Sequence, residues 1–286
     1  MTAQLINGAA LARQKITQLK QIVTSLQTRG VQPGLATVQV GEDAASRIYI
    51  RNKAKACAEA GVNSIHHDLP ATATESDVLH LISRLNNDAV VHGIIVQLPL
   101  PRHLDARRIS QAIAVAKDVD GFNWQNLGAL VEGGSVTNGI VPCTPCAALA
   151  ILDSANVPLE GRHAVVVGRS NIVGKPMALL LIARGATVTV CNSRTPDLGA
   201  ITRLADILVV ATGKADLITR DMVKPGAAVI DVGINRLPSG KIVGDVAFAE
   251  VQQVAGWITP VPGGVGPMTV AMLVENTVTA AGRVQP

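Results

Sequence analysis

Val165-Val166-Val167-Gly168-Arg169-Ser170-Asn171-Ile172-Val173-Gly174-Lys175-Pro176 decides how this chain is read. Three valines in a row read as a buried strand. Gly168 and Gly174 bracket a turn, and Lys175–Arg184 reads as a helix with Gly185 past its end. Such a strand–turn–helix leaves free N–H groups and the positive end of the helix dipole facing an anion. The turn departs from the dinucleotide pattern GxGxxG: Ser170 holds the second glycine's place and Gly174 falls one residue late. Its context, a strand before and a helix after, is the one that pattern requires.

The next strand, Thr187–Cys191, runs into Asn192-Ser193-Arg194. An Asp or Glu at that place holds the ribose 2′-hydroxyl of NAD, whereas the 2′-phosphate of NADP asks for cations. No acid is present, and Arg169 and Arg194 are both at hand, so the residues favour NADP. The competing reading makes the two arginines solvated loop residues.

Outward from this stretch, strands and helices alternate on both sides. Leu35–Val40, Ser64–Leu69 and Gly93–Leu98 read as strands. Ala44–Ala60, Glu75–Asn86 and Leu104–Ala116 read as helices between or after them. Residues 118–143 show no clear period and many turn residues, which predicts a loop-rich joint. A helix from about Pro145 to Ser154 opens a second alternation, with strands at His163–Val167, Thr187–Cys191, Ile207–Ala211 and Ala227–Asp231. Pro238-Ser239-Gly240 predicts a hairpin-like turn, and Met268 to about Ala280 a closing apolar helix. The β-α-β order predicts parallel sheets with right-handed crossovers.

Composition narrows the function classes. With 286 residues, 48% of them hydrophobic and 16% charged, the chain is not intrinsically disordered and has length for two domains. Aromatics are only 2%, so the core is aliphatic. The net charge of +4 is shared evenly: 13 Lys/Arg against 11 Asp/Glu in residues 1–140, and 12 against 10 in 141–286. No basic stripe with stacking aromatics stands out, which argues against nucleic acid as partner. No apolar run approaches the roughly 18 residues of a membrane span.

The four cysteines, 57, 143, 146 and 191, suit reduced thiols in the cytoplasm. The Cys143-Thr144-Pro145-Cys146 spacing admits a redox or metal role, but no second CxxC or His pair accompanies it, and no metal is expected. The N-terminus has basic residues and no acid before Glu42, as organelle leaders do. Leu11, Ile16, Leu19, Val23 and Leu26 keep helical spacing, so the stretch reads as the first helix of the fold.

On the helix around Tyr49-Ile50-Arg51-Asn52-Lys53, Tyr49 and Lys53 are i and i+4 and share a face. Alone, this reads as a snorkelling surface lysine beside a half-buried tyrosine. Two segments change the weight. Val96-Gln97-Leu98-Pro99-Leu100-Pro101 puts an amide at the carboxyl end of an apolar strand, where open parallel sheets bind ligands. Lys117-Asp118-Val119-Asp120-Gly121-Phe122-Asn123 puts carboxylates in the joint.

With Pro142–Pro145, Asp231-Val232-Gly233-Ile234-Asn235-Arg236 and Pro260-Val261-Pro262-Gly263-Gly264-Val265-Gly266-Pro267-Met268-Thr269, these motifs resemble the bifunctional methylenetetrahydrofolate dehydrogenase/methenyltetrahydrofolate cyclohydrolase family, over essentially the whole chain. One departure is Cys146-Ala147, where the family often ends in Gly.

The resemblance implies a two-domain α/β protein with a cleft. Residues 1–140 would form the folate domain, with helix 268–286 packing back on it, and 141–267 a Rossmann-like NADP domain. It implies a homodimer, formed through the second domain. Lys53 becomes the catalytic lysine, Gln97 its partner, Asp120 the pterin anchor and Tyr49 the platform for the aminobenzoyl group. Leu98 and Pro262-Gly263-Gly264 line the folate site, and Gly168, Arg169, Ser170, Gly174, Ser193, Arg194 and Ile234 the NADP site.

The implied reaction oxidises 5,10-methylenetetrahydrofolate with NADP⁺, then hydrolyses the methenyl cation to 10-formyltetrahydrofolate. A lysine amine can take a proton from water and return it to the opening ring. Three rivals remain: an NADP enzyme of the same build acting on another small acid, a dehydrogenase with weak cyclohydrolase activity, and a non-catalytic nucleotide sensor.

Overall fold

Fully buried strands need cover on both faces, and helices supply it in each of two units. The computed structural model describes residues 2–42, 44–133 and 140–283. In chain order come β1 (Gln4–Leu5), α1 (Gly8–Thr28), β2 (Gly34–Val40), α2 (Ala44–Ala60), β3 (Asn63–Leu69), α3 (Glu75–Asn87), β4 (Gly93–Val96), α4 (Ala106–Gln111) and α5 (Trp124–Val131). Then follow α6 (Cys143–Ser154), β5 (His163–Val167), α7 (Gly174–Ala183), β6 (Thr187–Cys191), α8 (Leu198–Thr202), β7 (Ile207–Val210), β8 (Ala228–Asp231), β9 (Asn235–Arg236), β10 (Ile242–Val243), α9 (Phe248–Val251), β11 (Trp257–Ile258) and α10 (Val265–Gly282).

One unit comprises Arg13–Cys143 and Val270–Pro286. Its parallel sheet has the order β3-β2-β4, with Gly34–Val40 buried along its whole length. The chain leaves β2 for β3 on one side and returns to β4 on the other, so the switch point lies between β2 and β4. Ligands of open α/β sheets bind beyond the strands' carboxyl ends at such a point. Ala36, Val38, Ile94 and Val96 pack against Val78, Leu81, Ile82 and Leu85 of α3. That helix starts at a capping box: the Thr74 hydroxyl accepts the Asp77 N–H, and the Asp77 carboxylate accepts the Thr74 N–H at 2.8 Å.

The other unit comprises Met1–Ala12 and Thr144–Thr269. Its six-stranded parallel sheet has the order β1-β11-β8-β7-β5-β6, with its switch point between β5 and β7. Val165, Val167, Leu208, Val210, Val229 and Ile258 form its core. β9 and β10 pair antiparallel across the Pro238-Ser239-Gly240 turn, as the sequence predicts.

Three expectations are corrected. The helix expected over Leu104–Ala116 spans only Ala106–Gln111 and is followed by a 3-10 turn at Val115–Lys117. The Asn86 side chain takes the Ala112 carbonyl at 2.8 Å and the Ala114 N–H at 2.9 Å, groups a continuing helix would use. The stretch 118–143, expected as loop, contains α5, started by the Asn123 side chain accepting the Gln125 N–H at 3.0 Å; its residues 134–139 lie outside the described ones. The strand expected to Leu98 ends at Val96. The first twelve residues cluster with the six-stranded unit, where β1 pairs with β11. Despite Cys146-Ala147, α6 forms and begins at Cys143.

Candidate active site

At the carboxyl edge of the three-stranded sheet, α2 follows β2 and carries Tyr49 and Lys53, both half-buried. Gln97 is the first residue after β4, the strand beside β2. The Lys53 Nζ donates to Gln97 Oε1 at 3.1 Å, and Gln97 Nε2 donates to the Leu98 carbonyl at 2.7 Å. That second bond decides which end of the amide faces Lys53. The Lys53 amine is thereby held by an uncharged acceptor.

Asp120 joins this pair. Burial pushes its carboxyl up to about 6; the nearby Lys53 charge pulls it back, and Asp118 pushes it further up. Below Lys53 on the same helix, Cys57 is fully buried and its thiol is pushed up to about 12, so it remains neutral. Lys53, Gln97 and Asp120 therefore form one group, joined by the Lys53–Gln97 hydrogen bond and by the charge of Lys53 acting on Asp120. The bland reading of Lys53 as a solvated surface lysine does not fit a side chain bonded to Gln97 and electrostatically coupled to Asp120.

Asp118, given no role from sequence, organises the loop. It is buried, and its carboxylate accepts the Asn123 N–H at 2.7 Å and the Asn126 amide at 2.9 Å. Burial still raises its carboxyl above the ordinary value, while these bonds draw it down. Asp118 also forms a parallel bridge with Ile94, which carries the loop alongside β4.

In the six-stranded unit, the turn after β5 is built from main chain. The Gly168 N–H donates to the Cys191 carbonyl at 2.9 Å. Gly168 has φ +129°, and a Cβ there would run into the Ala211 carbonyl. A Cβ on Gly174 would run into the Gly168 carbonyl and the Arg169 backbone. The late Gly174 thus performs the close helix–turn approach that a glycine one place earlier serves in the usual pattern. Ser170 does what a glycine cannot: its Oγ accepts the N–H groups of Val173 at 3.1 Å and Gly174 at 3.3 Å. The turn has the shape of a phosphate cradle, so the residues present fit a dinucleotide.

Val167 and Cys191 are register partners, so Arg169 and Arg194 follow neighbouring strand ends. Both are exposed, and neither makes an ion pair among the described residues. Ser193 is exposed beside them.

Ile234, exposed, follows β8 in a loop fixed by two buried carboxylates. Asp231 accepts the N–H groups of Gly233 at 2.9 Å, Asp245 at 2.9 Å and Val246 at 3.0 Å. Asp245 accepts the N–H groups of Thr212 at 2.6 Å and Gly213 at 3.0 Å and the Asn235 amide at 2.8 Å. Burial pushes the Asp231 carboxyl up to about 6. This knot was not visible in the sequence beyond the motif that begins at Asp231. Pro262, Gly263 and Gly264 belong to this unit and not to that of Lys53; the Ala9 N–H donates to the Gly263 carbonyl at 2.9 Å.

Cys143 Sγ donates to the Val119 carbonyl at 3.2 Å. Among the described residues no group of three or more His, Cys, Asp or Glu is placed to hold a metal ion. No described helix is long and apolar enough to cross a membrane.

The chain matches two family patterns: the catalytic domain of tetrahydrofolate dehydrogenase/cyclohydrolase over residues 6–120, and its NAD(P)-binding domain over 142–285. A bifunctional protein FolD of Ralstonia nicotianae is 57% identical over 99% of this chain and 97% of its own. The crystal structure of the FolD methylenetetrahydrofolate dehydrogenase/cyclohydrolase from Campylobacter jejuni superposes with TM-score 0.96 at 48% identity, covering 98% of this chain and 99% of that one. The Trypanosoma brucei enzyme, crystallised with NADP cofactor and an inhibitor, gives TM-score 0.95 at 40% identity, covering 99% and 98%. With both domain patterns matched and identities above one half across its length, the chain belongs to the tetrahydrofolate dehydrogenase/cyclohydrolase family.

Proposed function

We propose that Lys53, Gln97, Asp120 and Tyr49 carry the two activities that this membership brings, NADP-dependent oxidation of 5,10-methylenetetrahydrofolate and hydrolysis of the resulting methenyl compound to 10-formyltetrahydrofolate. The observation that carries the assignment is the Lys53–Gln97 bond of 3.1 Å beside Asp120.

Asp120, as carboxylate, accepts adjacent N–H donors of the pterin in a two-point contact. Tyr49 offers its ring face to the aminobenzoyl group, and Leu98 contributes apolar surface to the folate. NADP, when bound, accepts the hydride from the substrate's methylene carbon. The protein's share of that step is to orient the reactants. Gly168, Ser170 and Gly174 shape the phosphate turn, Arg169 and Arg194 recognise the 2′-phosphate, and Ser193 and Ile234 line the cofactor site.

In the second step water adds to the methenyl carbon. The Lys53 amine takes a proton from that water. As the carbon–N5 bond breaks and the formyl C=O forms on N10, Lys53 returns its proton to N5 and the adduct's hydroxyl proton leaves to solvent. Gln97 keeps the amine aimed throughout.

Separate assays of methenyl formation and methenyl hydrolysis in Lys53→Gln test the assignment. Hydrolysis is lost and hydride transfer survives in part; normal hydrolysis by the folded variant overturns it.

The division of labour follows the two units. Arg13–Cys143 with Val270–Pro286 forms the folate unit, and Met1–Ala12 with Thr144–Thr269 the NADP unit. The protein forms a homodimer through the second. Its sheet ends in β6, an edge strand with Val190 41% exposed, which is open to pairing with a second copy. A monomeric mass by sedimentation overturns this. Four scattered cysteines, too few for a disulfide scaffold in a chain of this length, support a reducing cytoplasm as its place of work.

A further inference from the structure

We infer that Asn276 of α10 is a positioning residue for Asp120, acting through the main chain of the residue before it. The inference rests on Asp120 being the pterin anchor. Asp120 lies in the loop between α4 and α5, which the Asp118–Ile94 bridge carries along β4 and the Gly121 N–H closes by donating to the Asp118 carbonyl at 3.1 Å. The peptide group just ahead of Asp120 is held as well. Val119 is fully buried, and its carbonyl accepts two donors, Asn276 Nδ2 at 2.9 Å and Cys143 Sγ at 3.2 Å. That carbonyl shares a rigid plane with the nitrogen of Asp120, so holding the oxygen sets the direction from which the Asp120 side chain departs.

The Asn276 amide also donates to the Val141 carbonyl at 3.0 Å. It therefore ties together the segment before Asp120 and the segment against which Gly121 rests. Gly121 has φ +74°, and a Cβ there would run into the Val141 and Pro142 backbone. Asp118 secures the loop from the other side through Asn123 and Asn126. Both of Asn276's strong bonds go to main-chain oxygens within this unit, which is the pattern of a side chain that sets geometry rather than touching substrate.

A double-mutant cycle on the full-length enzyme tests this, using Asn276→Ala, Asp120→Asn and the pair, with KM for methylenetetrahydrofolate, KM for NADP⁺ and melting temperature measured for each. Asp120→Asn raises the folate KM. Asn276→Ala raises it roughly 10- to 100-fold, the scale of a misplaced binding group, and leaves the NADP⁺ KM unchanged. In the Asp120→Asn background, Asn276→Ala adds little further. Full additivity, or an equal rise in both KM values, reduces Asn276 to general packing and overturns the inference. An unchanged folate KM in Asp120→Asn alone overturns the anchor reading instead, and the inference with it. Should Asn276→Ala not fold, Cys143→Ala removes the other donor to the same carbonyl and enters the same cycle, with additivity again the overturning result.

Discussion

The two units solve the same problem, holding a ligand at the carboxyl edge of a parallel sheet, with different materials. The six-stranded unit uses main chain: Gly168 and Gly174 bring backbone within contact of backbone, and Ser170 caps the turn. The three-stranded unit uses side chains: Lys53 on Gln97, with Asp120 coupled to Lys53 and Asp118 beneath the loop. On the roles proposed above, the first arrangement binds a group that every dinucleotide carries. The second then performs chemistry, which requires groups that move protons. Damage should differ accordingly: in the first unit a substitution breaks a shape, in the second it removes a reaction and spares the shape.

The largest expected effect lies on the chemical side. Lys53→Arg keeps the charge but cannot release the proton at working pH, so methenyl hydrolysis falls by about 10²–10⁴-fold, the usual share of a general acid–base. Its melting temperature stays near that of the parent. Hydrolysis within a few-fold of the parent would erase the contrast between the units.

Next comes the shape side. Gly174→Ala pushes a methyl into the Gly168 carbonyl, a strain of about 1–3 kcal/mol for overpacking, read in a denaturant titration. NADP⁺ affinity falls with it while folate binding in the other unit stays intact. An unchanged NADP⁺ affinity would show that the turn yields more easily than its geometry implies.

Arg169→Ala sharpens the comparison within the turn, since it alters a side chain and leaves the cradle. A charge-assisted bond of about 1.5–3 kcal/mol makes the NADP⁺ dissociation constant rise roughly 10- to 150-fold. Binding of NAD⁺, which has no 2′-phosphate, hardly changes; equal losses for both cofactors would remove the arginine from phosphate recognition.

The smallest effect is a pH dependence. With its carboxyl raised to about 6, Asp120 is mostly ionised at pH 7 and mostly protonated at pH 5. Folate binding is thus strongest above pH 6 and weakens as pH falls through it, the folate KM rising by roughly tenfold between pH 7 and pH 5. Asp120→Asn flattens that slope. A parent profile that is level across this range would show that Asp120 binds the pterin in either protonation state.

What could be read from sequence follows the same division. The Val165–Val167 strand, the turn and α7 were legible because their determinants are neighbours in the chain, as were Thr187–Cys191 and the Pro238-Ser239-Gly240 hairpin. The Tyr49–Lys53 face was legible as a spacing, but its meaning came only from the family resemblance. Gln97 is 44 residues from Lys53, and only the β3-β2-β4 order brings them together. Asn276 is 157 residues from Val119 and left no local trace. α5 was hidden because its cap, Asn123, lies in a stretch dotted with turn residues, and β1 because two residues carry no periodicity.

The chain enters and leaves each unit by an uneven route. It begins in the six-stranded unit, passes at Arg13 inside α1 to the other, returns at Thr144 inside α6, and departs again at Val270 inside α10. All three crossings fall within helices rather than in loops. Neither unit is therefore a cassette. A chimaera that exchanges the NADP unit with a relative's must splice three helices in register, each turn spanning 3.6 residues. A graft of residues 144–269 alone would leave the host's own β1 to pair with a foreign β11. Shuffling that keeps each splice in step with the helical repeat, and carries residues 1–12 along, is the form of exchange this architecture permits.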